Sequence, residues 1–301
     1  MNGGAPGRFG AVLTAMATPF DDEGALDLDG AVALARWLTD HGNDGLVVAG
    51  TTGEAPVLSD AEKIDLWRAV TEAVTVPVIA GAGGNDTAHS VELTKRATEA
   101  GAAGILAVTP YYSRPPQSGI EAHFRAIAAA TDLPVMIYDI PIRTGRKVAH
   151  ETLARLAHEV PNVLAVKDAA GNPGESARLL AETPDRFELY SGDDALTLAL
   201  LAIGASGAVG VATHWVAEQT AEMIGAFTKG DVAGARAINA RLVESWAFET
   251  GDLAPNPIPT KAVLRVLGLP SGQCRLPLGP APAGLEDQAR SVLANLGIPV
   301  G

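Results

Sequence analysis

Eight short apolar or β-branched runs recur along the chain: Ala11–Ala17, Gly45–Ala49, Val76–Ala80, Gly104–Val108, Pro134–Tyr138, Val163–Lys167, Phe187–Ser191 and Gly207–Val211. Few of them alternate polar and apolar residues, which predicts strands covered on both faces, as in a parallel sheet. Between them lie amphipathic stretches. Leu28–Asp40 returns Val32, Leu34, Ala35, Trp37 and Leu38 at helical spacing, and Asp60–Val74 opens with Ser59 and Glu62, a capping-box spacing. Glu92–Ala100, Ile120–Ala130, Glu151–His158, Ala177–Ala181 and Ala195–Ile203 follow the same rule. Glycine follows several of them, as in His41-Gly42 and Ala100-Gly101, where a C-cap is expected. Alternation of strand and helix without a reversal predicts a (β/α)8 barrel. An open, doubly wound sheet is the competing arrangement, but it usually carries a phosphate loop after its first strand; here that strand runs into Thr18-Pro19-Phe20.

After the eighth run the pattern is helical only: Ala217–Thr228, Val232–Phe248, Thr260–Leu267 and Leu285–Leu296, with a Pro-rich joint at Ala254-Pro255-Asn256-Pro257-Ile258-Pro259. The prediction is a barrel over residues 1–225 with a small C-terminal helical extension over 226–301. At 301 residues and 47% hydrophobic content, the chain is long enough for one large barrel core. A net charge of −13 argues against nucleic acid or an anionic membrane as a partner. An anionic substrate therefore needs local cations. The single cysteine, Cys274, rules out an internal disulfide framework and suits a reducing cytoplasm; it lies in a polar, Pro-flanked segment with no histidine near it, so a nucleophile is not expected there. No apolar run has the length of a membrane span, and residues 1–10 lack a signal pattern. These features predict a soluble cytoplasmic protein.

Barrel active sites lie at the C-terminal strand ends. The first strand brings Thr14 and Thr18 there, the second Gly50-Thr51-Thr52-Gly53-Glu54, the third Gly81-Ala82-Gly83-Gly84-Asn85 and the fourth Thr109-Pro110-Tyr111-Tyr112. The fifth brings Tyr138 and Arg143, the sixth Lys167, the seventh Ser191-Gly192-Asp193-Asp194 and the eighth Val209-Gly210-Val211. Lys167 closes an apolar run, whereas the other five lysines lie in polar or helix-like stretches that predict solvated charges. Burial favours a neutral amine, and a neutral amine attacks carbonyls to form a Schiff base. The plainer alternative is a structural lysine paired with Asp168. Tyr138 is a candidate proton shuttle, the Thr51 and Thr52 hydroxyls suit a carboxylate, and Arg143 suits a second one. Each has an ordinary reading too: a tight turn, a core aromatic, a loop charge. The glycines at 81–84 lack dinucleotide-loop spacing, the acidic pair at 193–194 argues against a phosphorylated substrate, and no cluster has metal-ligand spacing.

On these residues the chain resembles the dihydrodipicolinate synthase and N-acetylneuraminate lyase superfamily of pyruvate-dependent class I aldolases. The motifs are Gly50-Thr51-Thr52-Gly53-Glu54, Thr109-Pro110-Tyr111-Tyr112, Tyr138-x-x-Pro141-x-Arg143-Thr144-Gly145, Val166-Lys167-Asp168, Ser191-Gly192-Asp193-Asp194 and Asn256-Pro257-Ile258-Pro259-Thr260-Lys261. The resemblance implies that Lys167 is the Schiff-base lysine and Tyr138 the proton donor and acceptor. It implies that Thr52 binds the pyruvate carboxylate, with Gly192 and the backbone near Val209 lining the pocket. Thr51 would pass protons between Tyr138 and a Tyr112 reaching in from a neighbouring subunit, so a homo-oligomer is implied, a dimer or a tetrameric dimer of dimers, with no cofactor. Thr51 and Arg143 resemble the synthase branch, which condenses pyruvate with aspartate semialdehyde towards lysine and diaminopimelate. The alternatives are a 2-keto-3-deoxy acid aldolase, an N-acetylneuraminate-type lyase, or a keto-acid sensor. Ile142 stands where many synthases carry a small or polar residue. Asp60, Lys63 and His89 occupy the positions of the lysine-effector site in regulated relatives and imply weak inhibition by lysine.

Overall fold

Apolar runs of this kind cannot leave either face in water, and the chain resolves this by closing them into a ring. The computed structural model describes residues 7–300, so part of the segment read for a signal pattern, residues 1–6, lies outside the described residues. Strands β1 (Val12–Ala15), β2 (Gly45–Val48), β3 (Val78–Gly81), β4 (Gly104–Val108), β5 (Val135–Asp139), β6 (Val163–Asp168), β7 (Glu188–Ser191) and β8 (Gly207–Gly210) form a closed barrel in chain order. All neighbouring pairs are parallel, including the closing pair β1–β8. Alternate residues serve two cores. Leu13, Val47, Ile79, Leu106, Met136, Ala165 and Val209 fill the barrel interior, while Leu46, Val48, Ile105, Ile137 and Val166 face outward against the helices.

The outer ring contains α1 (Leu28–Asp40), α2 (Asp60–Ala73), α3 (Thr87–Glu99), α4 (Gln117–Ala128), α5 (Pro141–Thr144), α6 (His150–Glu159), α7 (Pro173–Glu182) and α8 (Thr197–Ala202). Asp27 caps α1 by accepting from Gly30 N at 2.8 Å, and Ser59 and Glu62 close a reciprocal capping box on α2. Asp86 and Asn172 cap α3 and α7 in the same way. Such a cap contributes about 1 kcal/mol. The expected starts of α3 and α7 fall late because their first turns are polar, so apolar periodicity begins only one turn inside. The one-turn α5 was expected as plain loop; Pro141 starts it and Gly145, at φ +71°, ends it.

α9 (Thr213–Thr228) follows β8 and packs on β1 to complete the ring, and beyond it come α10 (Val232–Phe248), α11 (Ile258–Val266) and α12 (Leu285–Asn295). Trp215, Leu242, Trp246, Val263 and Leu293 join them in a third apolar cluster, and Leu264 of α11 reaches into the barrel's outer core. Three expectations about polarity are corrected here. Lys261 is 1% exposed rather than solvated, because α11 lies against the loop after β2 and meets a carboxylate there. Lys63 is also buried, its long stem covered in the first turn of α2, and desolvation lowers its pKa. Cys274 is buried within the extension's own apolar cluster despite its polar sequence neighbours.

Candidate active site

Lys167 and Tyr138 are brought together by strand register. On neighbouring strands, Tyr138 of β5 stands opposite Lys167 of β6, so both side chains leave the same face of the sheet, towards the barrel interior. Lys167 Nζ lies 4.4 Å from the centre of the Tyr138 ring. Both residues are 4% exposed. Burial pushes the Lys167 amine down from 10.5 to about 8; the nearby Asp194 and Glu249 carboxylates oppose this, and the Arg143 cation adds to it. The adjacent Asp168 points to the opposite face, where it accepts from Ser176 Oγ and from Ala170 N. The structure therefore discards the pairing of Lys167 with Asp168. Gly192 leaves the lysine its path: a Cβ there would stand 2.9 Å from Lys167 Cγ and 3.0 Å from Cε.

Burial pushes the Tyr138 phenol up to about 12, while the Arg143 cation and the Thr51 hydroxyl pull in the other direction. At neutral pH the phenol is therefore a proton donor beside an amine that is in part neutral. Arg143, on α5, is exposed; its Nη2 donates to Asn256 O at 3.4 Å, and its charge is felt at both Lys167 and Tyr138. Val209 is fully buried in the interior cluster that contains Tyr138.

The segment after β2 is held from behind by the C-terminal extension. Thr52 is buried and its Oγ1 accepts from Asn256 Nδ2 at 2.9 Å; Thr18 Oγ1 donates to Gly53 O at 2.7 Å. Glu54 adopts a left-handed φ of 57°, and its carboxylate meets Lys261 Nζ at 2.6 Å and Arg275 N at 2.9 Å. The Phe20 ring lies under two cations, 4.1 Å from Lys261 Nζ and 4.2 Å from Arg275 Cζ. Asn256, Lys261 and Glu54 lie inside the quoted motifs, but the sequence assigned them no role. Their spacing carries no hint that segments so far apart meet.

Other candidates fall elsewhere. Thr14 faces outward from β1, between Asn43 and Thr213, and is structural. His214 is fully buried; its Nε2 accepts from Ala17 N at 3.0 Å, anchoring the segment just after β1. Cys274 has its thiol pushed up to about 12 by burial. Tyr112 is 91% exposed on a backbone of φ +71°, so a single chain does not unite it with Thr51 and Tyr138. Asp60 and His89 contact each other at 2.9 Å across α2 and α3. Among the described residues, no group of three His, Cys, Asp or Glu side chains is placed to hold a metal ion.

The arrangement thus sets a partly neutral amine against a phenol, with the Thr51 hydroxyl and the Arg143 cation close to that phenol. Comparison with known proteins agrees on one family. The model of the dihydrodipicolinate synthetase family matches residues 8–296. The chain is 53% identical to a 4-hydroxy-tetrahydrodipicolinate synthase of Acidothermus cellulolyticus, over 97% of this chain and 94% of that one. It is similar to the crystal structure of a dihydrodipicolinate synthase from Bacillus anthracis, at 42% identity and a TM-score of 0.92, covering 97% of this chain and 99% of that one. A lysine-bound dihydrodipicolinate synthase from Cyanidioschyzon merolae matches at 44% identity and a TM-score of 0.92, with the same coverage.

Proposed function

The chain belongs to the dihydrodipicolinate synthetase family, and from that premise we propose that its barrel condenses pyruvate with aspartate semialdehyde to 4-hydroxy-tetrahydrodipicolinate, a step of lysine and diaminopimelate biosynthesis. The observation that carries the reading is the register that sets the Lys167 amine against Tyr138. Neutral Lys167 Nζ attacks the keto carbon of pyruvate, and the carbonyl oxygen takes a proton from the Tyr138 phenol. The adduct nitrogen returns a proton to the Tyr138 phenolate, which passes it to that oxygen; water leaves, an iminium forms on Lys167, and Tyr138 is left as a phenolate able to take the methyl proton. Loss of a methyl proton makes an enamine, whose carbon attacks the aldehyde. The amino group of the bound semialdehyde then displaces Lys167 Nζ from the former keto carbon, closing the ring and freeing the lysine. Lys167 itself supplies the covalent electron sink, so the reading needs no cofactor.

In this reading Thr52, held by Asn256, receives the pyruvate carboxylate, with Gly192 and the backbone near Val209 shaping the pocket. Arg143 at the rim receives the semialdehyde carboxylate. Thr51 links Tyr138 to a second phenol, Tyr112, and an exposure of 91% for Tyr112 in its own chain favours a neighbouring copy as its recipient. The working assembly is then a homo-oligomer, a dimer or a dimer of dimers. We keep the division near residue 225, with the barrel carrying amine and phenol and the extension bracing the loop after β2. Among the described residues no helix is long and apolar enough to cross a membrane, and the single, buried Cys274 suits the cytoplasm. The contact between Asp60 and His89, beside buried Lys63, speaks against a strong lysine-effector site.

Borohydride added with pyruvate tests the chemistry: mass is expected on the peptide containing Lys167 and none on that of Lys167→Ala. Label on another lysine would overturn the assignment. Turnover with aspartate semialdehyde, compared with cleavage of a 2-keto-3-deoxy acid or N-acetylneuraminate, decides the branch. Arg143 and Thr51 favour the first, and Arg143→Ala is expected to raise KM for the aldehyde far more than for pyruvate.

A further inference from the structure

Two buried carboxylates stand beside the reacting amine and have no part in the scheme above. Asp194 follows β7 and Glu249 follows α10; they are 4% and 9% exposed. Consecutive backbone amides just past β8 hold them. Val211 N donates to Asp194 Oδ2 at 2.7 Å, and Ala212 N donates to Glu249 Oε2 at 3.2 Å. Gly210 makes the space, since a Cβ there would stand 2.5 Å from Asp194 Oδ1. Held on consecutive amides, the two carboxyl groups are brought to the same buried spot. Two ionised carboxylates so placed repel each other and can donate nothing to each other, and one proton between them removes both conflicts.

We propose that Asp194 and Glu249 share one proton and act as a single buried negative charge that balances the iminium on Lys167. The inference rests on the Schiff-base reading. The charged groups facing the pair are Lys167 and Asp193; those facing Lys167 are the pair itself and Arg143. Burial, first, and the neighbouring carboxylates push Glu249 well above its usual range, and burial likewise raises Asp194. Two full charges in contact there would repel each other, whereas one charge is what a monocationic iminium needs. A neutral amine converted to a buried cation without a counter-charge pays a desolvation penalty. The shared proton keeps the pair at one negative charge before and after the iminium forms. Asp194 and Glu249 touch no substrate in this account; they are positioning residues acting through Lys167.

The test compares Asp194→Asn, Glu249→Gln and the double variant. Either amide accepts the same backbone N–H and donates to the surviving carboxylate, so each single variant retains one negative charge, while the double has none. The readout is the pH midpoint of pyruvate-dependent borohydride trapping. Both single variants are expected to keep a midpoint near the about 8 of Lys167. The double variant should move it down by roughly one unit or more, which corresponds to a roughly tenfold weaker hold of the site on the amine's proton. Single variants that each give half of the double's shift would mean two separate charges and overturn the proposal, as would an unshifted double. If the double variant fails to fold, infrared spectroscopy decides: a protonated-carboxyl band present in the parent must vanish in each single variant. Absence of that band from the parent also overturns the proposal. A parent that never traps pyruvate sinks the Schiff-base reading instead, and the infrared result still reports on the pair.

Discussion

The amine of Lys167 is partly neutral because β6 ends in a buried place. With its pKa brought down to about 8 by burial, roughly a tenth of the amine is neutral at pH 7, against well under a thousandth for an exposed lysine. The sign follows: imine formation with pyruvate should rise as pH increases through about 8, then level off once the amine is neutral. Tyr138, held protonated up to about 12, supplies protons across that whole range. Tyr138→Phe should therefore fold normally and lose turnover by roughly 10²–10⁴-fold, the usual contribution of a general acid–base. Steady-state kinetics check it, and near-parental turnover would remove Tyr138 from the mechanism. Lys167 and Tyr138 were legible because an ionisable group at the end of an apolar run stands out against its neighbours. Glu249 was not. It ends a long amphipathic helix as an ordinary charged residue, and only packing of α10 against the turn after β7 reveals that it is buried.

At the scale of elements, strand alternation and capping signals placed the barrel well, since parallel strands covered on both faces and Ser59–Glu62-type caps are local patterns. The bracing of one element by another was not local, and there the sequence misled: Lys261 looked like a solvated helix charge. In the structure its helix, α11, places it against Glu54, and the same element joint lets Asn256 hold Thr52. Removing one partner of a buried ion pair leaves the other charge uncompensated, which costs about 3–5 kcal/mol. Lys261→Met should lose stability on that scale in urea unfolding and raise KM for pyruvate as the loop after β2 loosens. Adding Glu54→Gln removes the stranded charge and should recover part of the stability. A loss below about 1 kcal/mol for Lys261→Met would show that the pair is solvated in solution.

For the whole molecule, the barrel brings amine, phenol, hydroxyls and cation to one mouth, yet Tyr112 stays outside it. A tyrosine 91% exposed on a left-handed backbone of φ +71° gains nothing from its own chain, and an exposed aromatic on a fixed loop suits insertion into a symmetric neighbour. No pattern of apolar spacing announces such a role, because burial between copies leaves no mark on the spacing within one chain. If each site combines Lys167, Tyr138 and Thr51 of one chain with Tyr112 of another, two defective chains can repair each other. Tyr112→Phe leaves the amine intact but withholds the phenol from its neighbour; Lys167→Ala lacks the amine but still offers its Tyr112. Alone, each variant should turn over slowly or not at all. Unfolded together and refolded as mixed oligomers, they should regain activity, since one site of each mixed pair then has every group. The recovered activity should appear with assembly and depend on the mixing ratio. A mixture no more active than the sum of its parts, with mixed oligomers shown to form, would mean that Tyr112 serves no neighbouring site.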